Sequence, residues 1–232
     1  MSNFSAATML ERALEAYSEA RPRQQQVEIG PSSIHSCARQ VYHQIAGTFK
    51  ANPNTDFLPA LMGTAIHELI EKALAHEDVF GDDFLKEIEV EYQGLKGHVD
   101  LYIKSQKTVV DWKTSTKKNL KGDYFPSAQY IYQVHVYAYL LKMAKGLEVE
   151  TVKVVGLARD GRLTDIVEYS APYDEELALA GIKWLADIRE IVATDGRKPE
   201  PEKNAKTFCA IYCPYWDESA KIGCPGMKGR NY

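Results

Sequence analysis

The order of hydrophobic patterns along the chain restricts its fold more than any other feature. An amphipathic helical pattern over residues 61–76 is followed by three β-rich segments, at 86–93, 97–104 and 108–112, and by a second helical pattern over 127–144. Short turns containing Gly or Ser join the β segments, as in an antiparallel meander. This order predicts an α/β domain in which helices cover a sheet.

Further elements extend this pattern on both sides. Residues 151–159 and 165–171 are predicted to form two strands that pair around an Asp-Gly turn, followed by a helix over 173–193. A helix is also predicted over residues 5–20. The segment that begins at Pro31 suits a helix N-terminus with Cys37 in its first turns. Residues 48–59 contain Pro53 and Pro59, which favours a loop.

The composition is that of an ordinary globular protein. With 232 residues, 45% of them hydrophobic and 26% charged, we expect one domain over residues 1–232, with its core at about 60–171. No stretch approaches the roughly 20 apolar residues that span a bilayer, so no membrane partner is expected. The N-terminal segment carries acidic residues and lacks the apolar region of a secretion signal, which predicts a cytoplasmic protein.

Two acidic residues interrupt the apolar β segments. Asp100 lies between Val99 and Leu101, and Asp111 comes near the end of the next segment. A carboxylate buried among apolar side chains is costly unless it is paired or binds a metal. Asp111 and Lys113 are two residues apart, so on a strand both side chains lie on one face. If the two segments form a hairpin, both acids and the lysine converge near one end of the sheet.

Such a group can hold a divalent metal. Mg²⁺ and Mn²⁺ prefer carboxylate oxygens, and a metal held in this way can assist hydrolysis of a phosphodiester. The alternative interpretation is an Asp–Lys ion pair at the surface of an edge strand, because D-x-K alone is common. Two acids with ten residues between them on consecutive strands favour the metal site.

The chain resembles the PD-(D/E)xK nuclease superfamily, and within it the RecB-like branch. The resemblance is carried by GTAIHELIE (63–71), GHVD (97–100), DWK (111–113) and QVHVY (133–137), in the order that the family has them. It covers about 60–158. It implies a restriction-endonuclease-like αβββαβ core, in which helices flank a mixed central sheet, and cleavage of DNA with Mg²⁺ or Mn²⁺.

The resemblance also implies a role for each matching residue. The implied metal ligands are His67, Asp100, Asp111 and the backbone carbonyl of Trp112. Lys113 would orient the attacking water and stabilise the charge that develops on the phosphate. Gln133 and Tyr137, one helical turn apart, match a Q-x-x-x-Y pattern that lines the site and helps to place DNA in this branch.

Four glutamates lie close to these motifs in the sequence. Glu71 comes one turn beyond His67, where a solvated side chain is the favoured interpretation. Glu87, Glu89 and Glu91 alternate along the first β segment and therefore share a face. One of these three could support a metal ligand, and the sequence does not choose among them.

Charge is unevenly distributed along the chain. The net charge of −4 does not favour a nucleic-acid partner. Between residues 104 and 121, however, six lysines face one aspartate: Lys104, Lys107, Lys113, Lys117, Lys118 and Lys121. The tail adds Lys221, Lys228 and Arg230. A basic groove on an acidic protein and a solvated lysine-rich loop are both consistent with this pattern.

The cysteines match a second feature of the same family. Cys37 precedes the predicted core, while Cys209, Cys213 and Cys224 follow it. They resemble the cysteines of iron–sulfur members of this branch, among them the AddB nuclease domain and CRISPR-associated nucleases of spacer acquisition. The resemblance implies a [4Fe–4S] cluster in a subdomain formed by about 30–45 and a Cys-rich tail, 200–232.

The spacing of the tail cysteines departs from the family, since the first pair is C-x₃-C rather than C-x₂-C. A structural Zn²⁺ held by the four cysteines, and four unliganded thiols, therefore remain as alternatives.

The function predicted on these grounds is a metal-dependent deoxyribonuclease. An exonuclease acting in DNA recombination, repair or phage and mobile-element DNA processing is favoured. A non-cleaving DNA-binding module, a site-specific endonuclease and an iron–sulfur electron carrier are the alternatives. The expected partners are DNA that is single-stranded or has a free end, a helicase or recombinase, and further copies of the chain. A helicase would be a separate protein, because the sequence has no P-loop.

Overall fold

The computed structural model describes residues 5–20, 29–52, 55–76, 78–122 and 125–227. The α-helices are α1 (Ala6–Ala20), α2 (Ala38–Ile45), α3 (Leu58–His76), α4 (Lys117–Leu120), α5 (Ala128–Lys145), α6 (Glu175–Ala193) and the short α7 (Ala210–Tyr212). The strands are β1 (Phe84–Tyr92), β2 (Leu95–Ile103), β3 (Thr108–Ser115), β4 (Thr151–Ala158) and β5 (Val167–Pro172). The helix–β–β–β–helix–β order predicted from periodicity is therefore confirmed.

The strands form one mixed sheet in the order β1-β2-β3-β4-β5. The first three strands are an antiparallel meander, as predicted. β4 then pairs parallel to β3, because α5 carries the chain back across the sheet between them. β5 pairs antiparallel to β4, also as predicted.

Helix α5 forms the centre of the core. Its Ser127 side chain caps the first turn by accepting a hydrogen bond from the Tyr130 amide, and Gly146 ends the helix with φ +67°. Residues on several of its faces are buried, among them Val134, Val136, Ala138, Leu140 and Leu141. A helix buried on most sides shows no single apolar stripe, which explains its continuous hydrophobic sequence.

Helix α6 covers the other side of α5. The backbone of α6 comes close to α5 at Gly181, which has no side chain to keep the two helices apart. A Cβ atom added there would lie 3.1 Å from Ile34 and 3.2 Å from Tyr132 and Val136. These contacts bring the chain segment before α2 into the core. The segment that carries Cys37 is thereby fixed against the same helices that support the sheet.

Two predictions about the segment before α3 were wrong. Cys37 is not within the first turns of a helix; it is the residue that precedes α2, after a short 3₁₀ turn at Pro31–Ser33. The predicted loop over 48–59 is also too long, because α3 begins at Leu58. Pro59 lies in the first turn of α3, where its missing N–H has no helical partner to lose.

None of the helices in the described part of the chain is long and apolar enough to cross a membrane. Lys228 and Arg230, two of the basic tail residues noted in the sequence, lie outside the described residues.

Candidate active site

The meander opens into a fork at the two acidic residues. β2 and β3 are paired only from Leu101 opposite Val110 to Ile103 opposite Thr108. The next residues along each strand, Asp100 and Asp111, therefore lie where the strands separate. The two acids lie near each other, as predicted, but in the middle of β2 and β3 and not near one end of the sheet, since Asp111 also pairs with Val154 of β4.

The separation of the strands leaves backbone groups free to bind the acids. The Trp112 amide donates a hydrogen bond of 2.7 Å to Asp100 Oδ2 instead of pairing with β2. This bond fixes the Asp100 carboxylate against the backbone of Trp112, between Asp111 and Lys113. The Trp112 carbonyl, the ligand implied by the family resemblance, belongs to the same stretch of β3.

Asp111 is the most deeply buried acid of the site. It is 1% exposed, and its Oδ2 lies 2.6 Å from Lys113 Nζ. Burial raises the pKa of Asp111 to about 6, although the Lys113 ammonium opposes this shift. The two side chains share a face of β3, as their spacing predicted. Lys113 is held further by the Tyr130 ring, whose centroid is 5.2 Å from Nζ.

Helix α5 supports the same carboxylate through one of its two predicted site residues. Gln133 is 4% exposed, and its Nε2 donates a hydrogen bond of 3.1 Å to Asp111 Oδ1. Tyr137 is also buried, and a Cβ atom at Gly97 would come 2.7 Å from its ring. The structure thus brings Gln133 to the acids and packs Tyr137 beside β2, so the role of Tyr137 in placing DNA stays a prediction.

His67 reaches the acids from α3. Its Nδ1 lies 3.6 Å from Asp100 Oδ1, with the histidine side chain 30% exposed and the aspartate side chain 10% exposed. The contact with Asp100 raises the pKa of His67, while burial opposes the shift. The structure therefore places the helix histidine beside the meander, where the resemblance put a metal ligand.

Glu87 is the glutamate of β1 that the structure brings to the site. Its neighbours pair in register with residues on either side of Asp100, so Glu87 lies opposite that aspartate. Its φ is +46°, in the left-handed region that a non-glycine residue rarely adopts within a strand. Burial and then the negative charges of Asp100 and Glu71 raise the pKa of Glu87. Alternation along the strand did not distinguish it from Glu89 and Glu91.

The donors at the fork have the chemistry that a hard divalent cation prefers, with carboxylates from two strands and an imidazole from a helix. In the structure these carboxylates are bound by groups of the protein: Lys113, Gln133, His67 and the Trp112 amide. Within the described ranges, no three His, Cys, Asp or Glu side chains form a group that could hold a metal ion. Metal binding here would require these pairs to rearrange.

A comparison with protein families identifies this arrangement. The model of the PD-(D/E)XK nuclease superfamily matches residues 80–217, which include the whole sheet, the fork and α5. The chain belongs to the PD-(D/E)XK nuclease superfamily. The matched range includes Asp100, Asp111, Lys113 and Gln133.

One solved structure that covers almost the whole chain shows the same fold. The crystal structure of SSO0001 is similar over 93% of this chain and 96% of that chain, with a TM-score of 0.52 at 19% identity. An alkaline exonuclease from Laribacter hongkongensis is 12% identical, with a TM-score of 0.49 and coverage of 75% of this chain and 91% of that one. A phage-related exonuclease from Haemophilus somnus 129PT is 14% identical, with a TM-score of 0.47 and coverage of 72% and 94%. No curated protein matches the sequence.

The four cysteines of this nuclease lie together, outside the sheet. All four are free and buried, with exposures between 5% and 8%. Burial raises the pKa of Cys209 to about 12, and the neighbouring Cys213, Cys224 and Cys37 add to the shift. Burial likewise raises the pKa of Cys213 to about 11. Thiols that influence one another in this way share one small region, although no metal-binding group is formed there.

Asn52 ties the cysteine segments together, a role that its position in the sequence did not suggest. Its Nδ2 donates hydrogen bonds to the carbonyls of Cys213 (2.9 Å), Ala210 (3.1 Å) and Cys209 (3.4 Å). The Cys224 amide donates to the Tyr215 carbonyl at 2.8 Å. The loop before α3 and the tail therefore form one unit around the thiols.

Proposed function

We propose that this chain is a metal-dependent DNA exonuclease. The observation that carries the proposal is the fork in the sheet, where buried Asp111 pairs with Lys113 at 2.6 Å and Asp100 lies on the facing strand. All three polar residues of the family pattern are present, which favours a cleaving enzyme over a module that only binds DNA. The exonuclease assignment is supported by the resemblance of Gln133 and Tyr137 to the RecB-like pattern.

A divalent metal fits the donor set at the fork. We propose that Asp100, Asp111, His67 and the Trp112 carbonyl hold Mg²⁺ or Mn²⁺. When bound, the ion would neutralise the phosphate and lower the pKa of the attacking water. The raised pKa of Asp111 supports such a role, because a cation compensates the carboxylate charge that burial disfavours.

The side chains of the site would position the reactants. The Lys113 ammonium can donate to the attacking water and to a phosphate oxygen, where negative charge develops during attack. Gln133 holds Oδ1 of Asp111, which leaves Oδ2 directed at Lys113. The Trp112 amide holds Oδ2 of Asp100 and leaves Oδ1 toward His67. The Gln133 and Trp112 contacts therefore hold one oxygen of each carboxylate before substrate arrives, while the contacts of Lys113 and His67 with the other oxygens are those that a bound metal would rearrange.

Digestion of end-labelled DNA tests the proposed function. Purified protein is incubated with linear and closed circular DNA, single- and double-stranded, with Mn²⁺ or with EDTA. We expect loss of linear DNA with Mn²⁺, much slower loss of circles and no loss with EDTA. Equal cutting of circles and linear DNA would replace the exonuclease by an endonuclease, and an absence of cutting would leave a DNA-binding module.

Glu87 provides a test of the metal site. We expect Glu87→Gln to weaken the apparent affinity for Mn²⁺ by about tenfold, because it removes a negative charge opposite Asp100. The measurement is the Mn²⁺ concentration at half-maximal cleavage. Glu89→Gln, two residues along the same strand, is the matched control and should leave that concentration unchanged. Equal effects of the two substitutions would contradict a specific role for Glu87.

We also propose that Cys37, Cys209, Cys213 and Cys224 hold a [4Fe–4S] cluster. Four buried free thiols in one region are the usual ligand set of such a cluster. A zinc ion would draw all four sulfurs to about 2.3 Å from a single point, whereas a cluster of four irons needs them farther apart. The charges of Cys213, Cys224 and Cys37 add to the effect of burial on the pKa of Cys209, which supports one shared cofactor, and the resemblance to iron–sulfur members of the branch favours the cluster.

The biological setting follows only from the family resemblance. We propose DNA recombination, repair or the processing of phage and mobile-element DNA, together with a helicase or recombinase or with further copies of this chain.

A further inference from the structure

The lysine-rich run divides into two parts that lie at opposite ends of β3. Lys104 and Lys107 flank the turn between β2 and β3, which is the end of the meander away from the fork. Lys107 Nζ lies 2.7 Å from both Glu148 and Glu150, so its charge is neutralised by two carboxylates. This half of the run is therefore remote from the active site.

The other half lies just beyond the fork and gains two arginines from β4. Lys118 and Lys121 are on and directly after α4, the short helix that follows β3. Since β3 and β4 are parallel and Ser115 pairs with Ala158, both strands end at the same edge of the sheet. Arg159 follows β4 there, and its amide donates to the Ser115 carbonyl at 2.9 Å.

We call Lys118, Lys121, Arg159 and Arg162 the basic edge. All four residues are exposed, and none forms a salt bridge with another residue that the structure describes. The backbone beneath them is fixed. The Lys117 amide donates to Asp160 Oδ1 at 2.6 Å, and Lys117 Nζ lies 2.7 Å from Asp165. The backbone that carries the basic edge is thus fixed, with Asp160 and Asp165 beside it, and the pKa of Asp165 is lowered by Lys117 and, at longer range, by Lys121.

The opposite side of the site carries negative charge. Glu71 on α3 and three glutamates of β1, Glu87, Glu89 and Glu91, lie on the side of Asp100 away from β4. Glu71, Glu89 and Glu91 are exposed, and we call these three residues the acidic flank. Glu91 lies 3.8 Å from Lys96, so Glu71 and Glu89, for which no salt bridge is seen among the described residues, contribute most of its negative charge. The reactive fork therefore lies between positive and negative surfaces.

We infer that the basic edge binds the phosphates of a DNA strand that reaches the fork from the α4 side and ends there. Each phosphate carries a negative charge, so the basic edge attracts the strand and the acidic flank repels its continuation. A strand that passed through the site would have to run along the glutamates. This inference rests on the proposed nuclease function and adds a physical reason why a free end would be preferred.

Binding without metal tests the basic edge. Anisotropy of a labelled single-stranded oligonucleotide is measured in EDTA over a series of salt concentrations, with wild type, with Lys118→Ala/Lys121→Ala and with Lys104→Ala/Lys145→Ala. Lys104 and Lys145 are exposed lysines at the far end of the sheet and of α5, so the third protein is matched in charge. Loss of two single-strand phosphate contacts should lower the slope of log affinity against log salt by about 1.4.

The outcomes separate the inference from the proposed function. We expect the smaller slope for Lys118→Ala/Lys121→Ala alone, with the control double variant equal to wild type. The inference would be overturned by equal slopes for all three proteins or by a larger decrease in slope for the control variant. It would also be overturned if wild type did not bind. Because no metal is present, a protein that fails to cut DNA with Mn²⁺ can still pass this test, and an active nuclease can fail it.

Reversing the charge of the acidic flank tests whether these glutamates stop the DNA strand at the fork. We expect Glu89→Lys/Glu91→Lys to raise the rate on closed circular single-stranded DNA, relative to the linear form, by several-fold, because the repulsion that stops the strand is removed. Neither glutamate contacts the acids at the fork. If the variant is folded and the ratio of its cleavage rates on circular and linear DNA is unchanged, the inference that the strand ends at the fork is overturned.

Discussion

Cleavage of linear DNA by Asp111→Asn and by Lys113→Met is expected to fall by about 10³-fold relative to wild type. Asp111→Asn removes the negative charge that we propose binds the metal, and Lys113→Met removes the ammonium that we propose stabilises charge on the phosphate. The two side chains form an ion pair, with Oδ2 of Asp111 2.6 Å from Nζ of Lys113, so both substitutions change the same point of the site. The measurement is the initial rate with saturating Mn²⁺.

These two substitutions are chosen so that folding persists. Truncating Asp111 to Ala would leave the half-buried Lys113 ammonium without a partner, a change that costs about 3–5 kcal/mol when a buried ion pair is broken. Asparagine keeps the volume and can still accept the Gln133 hydrogen bond. Methionine keeps an unbranched side chain of similar length, and Asp111, whose pKa is raised by burial, can take up a proton when the ammonium is lost.

A surface charge provides the control for these variants. Asp187→Asn removes one side of the exposed Lys183–Asp187 pair on α6 and should leave the rate unchanged. Circular dichroism and thermal unfolding check that each variant is folded. A folded Asp111→Asn protein that retains more than about a tenth of the wild-type rate would contradict the proposed role of the acid.

The elements of the fold could be predicted because each has its own hydrophobic period. The helix α3, the meander and α5 were read from patterns that depend only on local burial. The fork was not visible in this way. β2 and β3 stay paired for three residue pairs and then separate, and the register and separation of strands depend on tertiary packing.

The site residues that could be predicted are those that break a pattern. Asp100 and Asp111 stand out as charges in apolar strands, and Lys113 follows from the face it shares with Asp111. Glu87 could not be chosen, because its φ of +46° interrupts the alternation on which the prediction rested. Asn52 was missed because a single amide in a loop has no sequence signal.

The positions of the charges in the fold could not be predicted from the sequence either. Six lysines in 18 residues were read as one run, but a strand of the sheet separates them into two groups with different surroundings. Glu148 and Glu150, which neutralise Lys107, come from the segment before β4. Arg159 and Arg162 enlarge the other group from a different strand. Net charge and linear runs therefore say little about where a phosphate backbone can bind.

If the four cysteines hold the proposed cluster, replacement of one of them is expected to remove both the colour of the protein and much of its stability. Anaerobically purified wild type should be brown, with absorbance near ~400 nm and four irons per chain, because iron–thiolate clusters are coloured. Cys224→Ala should lose most of this absorbance. Cys224 is 6% exposed and belongs to the region that also holds Cys37, so its loss weakens a link between distant parts of the chain.

The stability effect follows from the length of chain that the cysteines close. A crosslink between segments that lie far apart in sequence removes about 4 kcal/mol of unfolded-chain entropy, or roughly 10 °C in Tm for a chain of this size. Thermal unfolding of Cys224→Ala should therefore begin well below that of wild type. Lys221→Ala, an exposed change three residues earlier, should alter neither Tm nor colour.

Metal analysis of the same samples decides between the possible cofactors. Four irons with sulfide in wild type and few in Cys224→Ala would support the cluster. A colourless wild type with one zinc per chain would contradict the cluster but keep a cysteine-held metal, since zinc–thiolate sites do not absorb in the visible range. Equal Tm values and no metal in either protein would leave four buried thiols packed as apolar groups, with Asn52 and the backbone bonds alone holding the tail. The metal content therefore shows whether a cysteine-bound metal or packing alone joins the tail to the nuclease core.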